Sequence, residues 1–284
     1  MTIFIFGFGQ VSKELAKRLS NVKNVNFKIV SRNTENFLNY EFLKINFFKE
    51  NKLNFSDSIL ISTIPPDEKD EDFILKNIPK STLKSFSKII YISSTSVYQS
   101  GEVNELTNPE PITKLGIRRL SIEKQWQEIN KKTVIVRSGG IYSNSSNIIT
   151  KFLKGDHKII YKKNHFTNRI HIEDLVGIIL KIVKNKHFNG IINATDSFFV
   201  NTFELINKLS KEFSLPKPKK INYDDKSINK NISSFYQISK KVYSIRLSND
   251  LGYKLIYPRI DKFLNSLLKK EFYIWVNFYK KFYQ

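Results

Sequence analysis

The sequence predicts an α/β protein, with a doubly wound parallel sheet over residues 1–150 and a smaller α+β substrate subdomain over 151–284. Three observations carry that expectation. Short apolar runs recur along the chain: TIFIFG, NFKIVS, FLKIN, SILISTI, KIIYIS, TVIVRSG, KIIY and GIINAT. Most are continuous Ile, Val, Leu and Phe rather than alternating, as in strands covered on both faces. Stretches of helical spacing separate them through the first half, which argues for crossover helices on a parallel sheet. After Thr150 the pattern loosens into shorter strands and more loops, with some segments returning to the core.

Taken in order, the first strand ends in GFGQVS, a Gly-x-Gly-x-x-Gly pattern whose third glycine is Ser12. Gly7 permits the tight turn and Gly9 lets a pyrophosphate approach the backbone of Gln10 and Val11 at a helix N-terminus. Val11, Leu15 and Leu19 form that helix's apolar seam at a spacing of four. This start is the nucleotide-binding fingerprint of a Rossmann fold. At the end of the second strand, Ser31, Arg32 and Asn33 stand where an NAD site expects an acid for the ribose 2′-hydroxyl. A guanidinium suits a 2′-phosphate, so NADP is favoured, with NAD as the alternative. The fourth strand runs into Thr63, Ile64 and Pro65, at the carboxyl edge over which a ligand passes in such folds.

Composition narrows the classes. The net charge is +21, but the lysines are spread along the whole chain rather than clustered with aromatics, so no nucleic-acid partner is expected. The chain has no cysteine, which removes disulfides and thiolate metal sites, and no metal centre is predicted. The N-terminal apolar run lacks the length and basic lead-in of a signal peptide, and no run approaches the ~18–20 apolar residues that span a bilayer. The expected setting is therefore soluble and cytoplasmic. The aromatic segment 271–284 reads as a docking helix or strand, or else as a membrane-surface or subunit contact, and a homodimer is compatible with it.

Later motifs fall in a familiar order. KIIYISSTSVYQSGEV, RSGGIYS, NRIHIEDLVGII, IINATD and KKVYSIRLSNDLGYKLIYP cover most of the chain. Together with the glycine turn, this set resembles the extended short-chain dehydrogenase/reductase family, the NAD(P)-dependent epimerases and dehydratases, and most of all its shorter, atypical members. The resemblance implies a Ser/Thr–Tyr–Lys site. It places the hydroxyl at Ser94, with Thr95 as the near alternative. The Tyr-Gly-x-x-Lys-Leu-x-x-Glu string matches Leu115 through Glu123, so the tyrosine has become Leu115 and the lysine Arg119. Leucine has no proton to give, and arginine stays cationic. Arg119 is expected to face the cofactor, while Arg118, about 100° around the helix, faces solvent. Tyr98, Tyr142 and His171 are candidate substrate-pocket residues and stand-ins for the missing acid. Arg169 and Asp174 are candidates for a structural pair, and Glu123 and Trp126 for packing and capping. The implied function is an NAD(P)-dependent oxidoreductase or epimerase/dehydratase on a sugar-nucleotide-like or small carbonyl substrate. The rival is a catalytically silent NADP-binding sensor or scaffold, which the missing tyrosine favours.

Overall fold

A computed structural model describes residues 1–32, 40–50, 54–67, 71–155, 157–196 and 198–270. Asn33 and the aromatic segment 271–284 lie outside the described residues. Strand β1 (Thr2–Phe6) leads into helix α1 (Gln10–Ser20), and β2 (Asn26–Val30) is followed by the two-residue β3 (Phe42–Leu43). Helix α2 (Phe47–Glu50) precedes β4 (Ser58–Ser62), and the short α3 (Phe73–Asn77) and α4 (Lys80–Ser85) precede β5 (Lys88–Ser94). Then come β6 (Gly101–Val103), α5 (Lys114–Ile129), β7 (Thr133–Ser138), β8 (Gly140–Tyr142) and α6 (Ile148–Lys154). The second half contains β9 (Lys158–Tyr161), β10 (Arg169–His171), α7 (Ile172–Lys184), β11 (Gly190–Ala194) and α8 (Thr202–Glu212). It continues with β12 (Lys219–Asn222), α9 (Lys230–Gln237), β13 (Lys240–Val242) and α10 (Arg246–Asn249), and a last helix is described over 260–270.

Seven strands form one parallel sheet in the order β11-β7-β5-β4-β1-β2-β3. The continuous apolar runs are explained by what covers the sheet. In β1, Ile3 and Ile5 pack with α1 and α7, while Phe4 and Phe6 face the opposite layer beside Phe48, Phe55 and Phe86. Alternation therefore sorts residues between two cores instead of between core and water, and each buried Ile, Leu or Phe contributes about 1.5–3 kcal/mol. The lysine that opens β5 is also inside. Lys88 Nζ donates to the carbonyls of Asn185 (2.6 Å) and Phe188 (2.9 Å), just past the C-terminus of α7. There a cation satisfies carbonyls the helix leaves open.

The GIINAT run returns to the sheet as its edge strand β11, whereas KIIY (β9) pairs with β12 away from it. A third apolar cluster, built from Tyr142, Phe152, Leu205, Leu209, Ile260 and Leu264 among others, joins α6 and α8 to the last helix. Among the described residues, no helix is long and apolar enough to cross a membrane.

Candidate functional site

The chain reverses direction across the sheet between β1 and β4, which are neighbours although β2 and β3 intervene in sequence. Ligands in open α/β sheets bind outside the carboxyl ends of the strands at such a switch point. A cleft of about 320 Å³ lies there, lined by Val11, Thr63, Pro65, Ile92, Ser93, Ser94, Arg119, Ser138, Gly139 and Ile141. Gly7 turns with φ +96°, and a Cβ at that position would lie 2.8 Å from Thr63 Oγ1. Gly9 caps α1 with no side-chain hydrogen bond, and a Cβ there would meet nothing within 4 Å. The first N–H groups of α1 thus have no side-chain cap, and open space lies beside Gly9. These features fit the pyrophosphate of a dinucleotide.

Ser12, in the third glycine's place, is absorbed by the fold. Thr63 Oγ1 donates to the Phe6 carbonyl (2.9 Å), so the 2.7 Å contact between Ser12 and Thr63 has Ser12 donating. Ile64 packs against the Gly7 turn, and the exposed Gln10 sends Nε2 to Ser143 Oγ at 3.1 Å. At the end of β2, Ser31 donates its N–H to the Leu43 carbonyl and Arg32 is exposed.

The other wall is built by β5 and the start of α5. Thr113 caps α5 by accepting the Gly116 N–H, and Gly116 is required because a Cβ would collide with the Ser96 carbonyl and Pro111. That close approach brings Arg119, one turn later, against the end of β5. Its Nη1 donates to Tyr91 Oη (3.0 Å) and to the Ile92 carbonyl (3.3 Å). Burial pushes the Tyr91 phenol up to about 12, against the pull of the adjacent Arg119 cation. Leu115 is 52% exposed, so no phenol enters from the position where the family pattern places one. Arg118 is half-buried rather than on a solvated face. Ser94 caps the short turn Thr95–Val97 by accepting the Ser96 N–H (3.1 Å), and Thr95 is buried within that turn.

Beneath the cleft lies a group that the spacing did not reveal. Arg137 on β7 grips Glu123 through Nε (3.1 Å) and Nη2 (2.7 Å), and Ser93 donates to the same carboxylate at 2.5 Å. Glu123 is therefore a buried ion-pair residue, not a packing residue. Trp126 donates to Asp72 (3.0 Å) and stacks on Tyr91. The sequence did carry a signal, because RSGG sets an arginine inside an apolar strand and α5 sets a glutamate among Ile122, Leu120 and Trp126.

The three expected pocket residues are buried and do not line the cleft. Tyr98 is enclosed, with its hydroxyl on Asn193 (3.0 Å) and Arg137 over its ring. Tyr142 and His171 pack together and with Phe263, away from solvent. His171 caps α7 through Nδ1, and burial pushes its pKa down to about 4, which keeps it neutral. Nor do Arg169 and Asp174 pair. Arg169 donates to the Thr167 and Thr202 hydroxyls, while Asp174 accepts from Tyr253 and from the Ile256 and Tyr257 N–H groups.

No family model and no curated protein sequence matches the chain. Solved structures do match. A functionally unknown conserved protein from Silicibacter pomeroyi is 24% identical, with a TM-score of 0.82 over 95% of this chain and 98% of that one. The human epimerase family protein SDR39U1, solved with NADPH, is 15% identical, with a TM-score of 0.74 over 95% and 99%. The fold is that of the extended short-chain dehydrogenases/reductases. UDP-N-acetylglucosamine 4-epimerase from Bacillus cereus shares it as well, at 16% identity and a TM-score of 0.72 over 94% and 98%. The positions where the resemblance expects a tyrosine and a lysine carry Leu115 and Arg119.

Proposed function

We propose that the chain binds a nicotinamide dinucleotide along the carboxyl edge of the sheet and uses it on a small carbonyl or alcohol, or a sugar-nucleotide-like substrate. The observation that carries the binding is the uncapped N-terminus of α1 opening, past the bare Gly9, on the cleft at the switch point. The Gly9, Gln10 and Val11 backbone would take the pyrophosphate. Arg32, exposed at the end of β2, would take a 2′-phosphate, which favours NADP; NADPH is what the human structural neighbour was solved with. Arg119, expected to face the cofactor, lines the cleft with Val11, Thr63 and Ser94. When bound, the nicotinamide supplies a hydride donor or acceptor.

Four hydroxyls line the cleft, and the hydrogen-bond pattern separates them. Thr63 donates to Phe6, Ser93 to Glu123 and Ser138 to Gly139. Ser94 accepts from Ser96 and donates to no group among the described residues, so it is the hydroxyl left to orient a substrate oxygen. A second reading, a catalytically silent nucleotide-binding module, is favoured by Leu115, because losing the phenol removes a general acid–base contribution of about 10²–10⁴-fold.

Calorimetric titration with NADPH and NADH tests the binding, with a dissociation constant below about 1 mM expected for NADPH, worth about 4 kcal/mol or more. Absence of binding by both nucleotides overturns the reading. Binding of NADPH with no oxidation across a panel of carbonyl compounds selects the silent module.

A further inference from the structure

Two arginines approach the end of β5, and they expose the same hydrogen-bonding edge differently. In Arg137 the Nε/Nη2 edge is filled by the Glu123 carboxylate. In Arg119 only Nη1 is engaged among the described residues; Nε is buried without a partner there, and Nη2 donates to no described protein group. The two carboxylates whose charges reach this corner are committed elsewhere. Asp72 accepts from Trp126 and from the Ile74 and Leu75 N–H groups, and Glu123 from Arg137 and Ser93. No residue lining the cleft is acidic. A half-buried guanidinium with no carboxylate hydrogen-bonded to it among the described residues is incompletely compensated, and an anion supplied from outside removes that cost. Beside it, the Ser94 hydroxyl still has its proton to donate.

We propose that Arg119 and Ser94 form an anion-recognition site, and that the small carbonyl or alcohol substrate carries a carboxylate bound there. This rests on the dinucleotide-binding reading for its reaction but not for its binding. The other source of the same chemistry is a phosphate, either inorganic or part of the nucleotide. Leu115 supplies no proton, so recognition passes from a neutral sugar hydroxyl to a charged end group.

The test uses the full chain, with and without saturating NADPH. Malonate, its neutral diamide and inorganic phosphate are titrated separately by calorimetry. Malonate is expected to bind about 10–100-fold more tightly than the diamide, the range for hydrogen bonds to a charged partner. Arg119→Met should reduce that ratio to about threefold or less, while Arg119→Lys, which keeps the charge, retains part of it. Because the ratio compares two ligands on one protein, a variant with weakened NADPH binding still gives an answer. Equal binding of malonate and diamide, or a ratio unchanged in Arg119→Met, overturns the proposal. Phosphate outcompeting malonate and displaced by NADPH also overturns it, assigning Arg119 to the nucleotide. Failure of NADPH to bind while malonate is still preferred sinks the dinucleotide reading and leaves this site standing.

Discussion

Arg137 and Arg119 both approach the end of β5, yet one is ion-paired with a carboxylate inside the protein and the other is hydrogen-bonded only to a phenol and a carbonyl. Arg137 sits beneath the cleft, closed by Glu123 and by the Tyr98 ring. Arg119 lines the cleft, its Nε buried without a partner among the described residues. A buried charge that serves the fold arrives with its partner, whereas a charge that serves a ligand waits for one. Arg169 is an intermediate case. It is buried and held by hydroxyls, and burial draws it down to about 10 although Asp196 nearby opposes the shift.

The largest effect should come from opening the closed pair. Glu123→Ala leaves Arg137 buried without its carboxylate, and removing one partner of such a pair costs about 3–5 kcal/mol. A urea midpoint shifted by that amount at constant m-value is the expected result; a loss under 1 kcal/mol would mean that the pair does not distinguish Arg137 from Arg119.

The intermediate pair should respond to pH. Burial raises the Asp196 carboxyl from 3.8 to about 8, and its Oδ2 has no partner. A folded pKa above the unfolded one stabilises fully below about pH 4, and that contribution is lost as pH rises through 8. Asp196→Asn cannot ionise, so its stability relative to wild type should improve from pH 5 to about 8 and level off above it, with the buried histidines cancelling in the difference. A difference flat across that range removes Asp196 from the comparison.

These contrasts also mark where the sequence could be read. Strand identity was legible because alternate residues of TIFIF, SILIS and TVIVRS each enter one of two apolar layers, a local property of composition. The Gly7–Gly9 turn was legible because backbone geometry dictates glycine there. The pairing of β9 with β12 was not, since it joins segments about sixty residues apart and no periodicity encodes a partner. Tyr142 and His171 misled for a related reason. Their motif matches place them on β8 and β10, but whether a side chain meets the cleft or the Phe263 cluster depends on the last helix, which the motif does not contain. Glu123 and Arg137 were each visible as charges in apolar surroundings, and only the fold joined them.

Arg32, exposed at the end of β2, extends the comparison to the outer edge. Arg32→Ala should weaken NADPH about 10-fold, roughly 1.4 kcal/mol, and leave NADH nearly unchanged. An equal loss for both nucleotides would detach this residue from the 2′-phosphate.

The smallest effect is expected where Arg119 is removed together with the one side chain it serves. Arg119→Met alone strands the buried Tyr91 hydroxyl, at a cost of about 1–3 kcal/mol. Adding Tyr91→Phe removes that hydroxyl too, and replacing both partners by apolar groups of similar shape is close to neutral. The double variant should therefore unfold within about 1 kcal/mol of wild type, as judged from the urea midpoint. If it instead loses as much as Glu123→Ala, Arg119 is a structural arginine like Arg137, and its unpartnered Nε has no bearing on a ligand. If it folds normally and no longer prefers malonate over the diamide, the charge at Arg119 serves what enters the cleft rather than what holds the protein together.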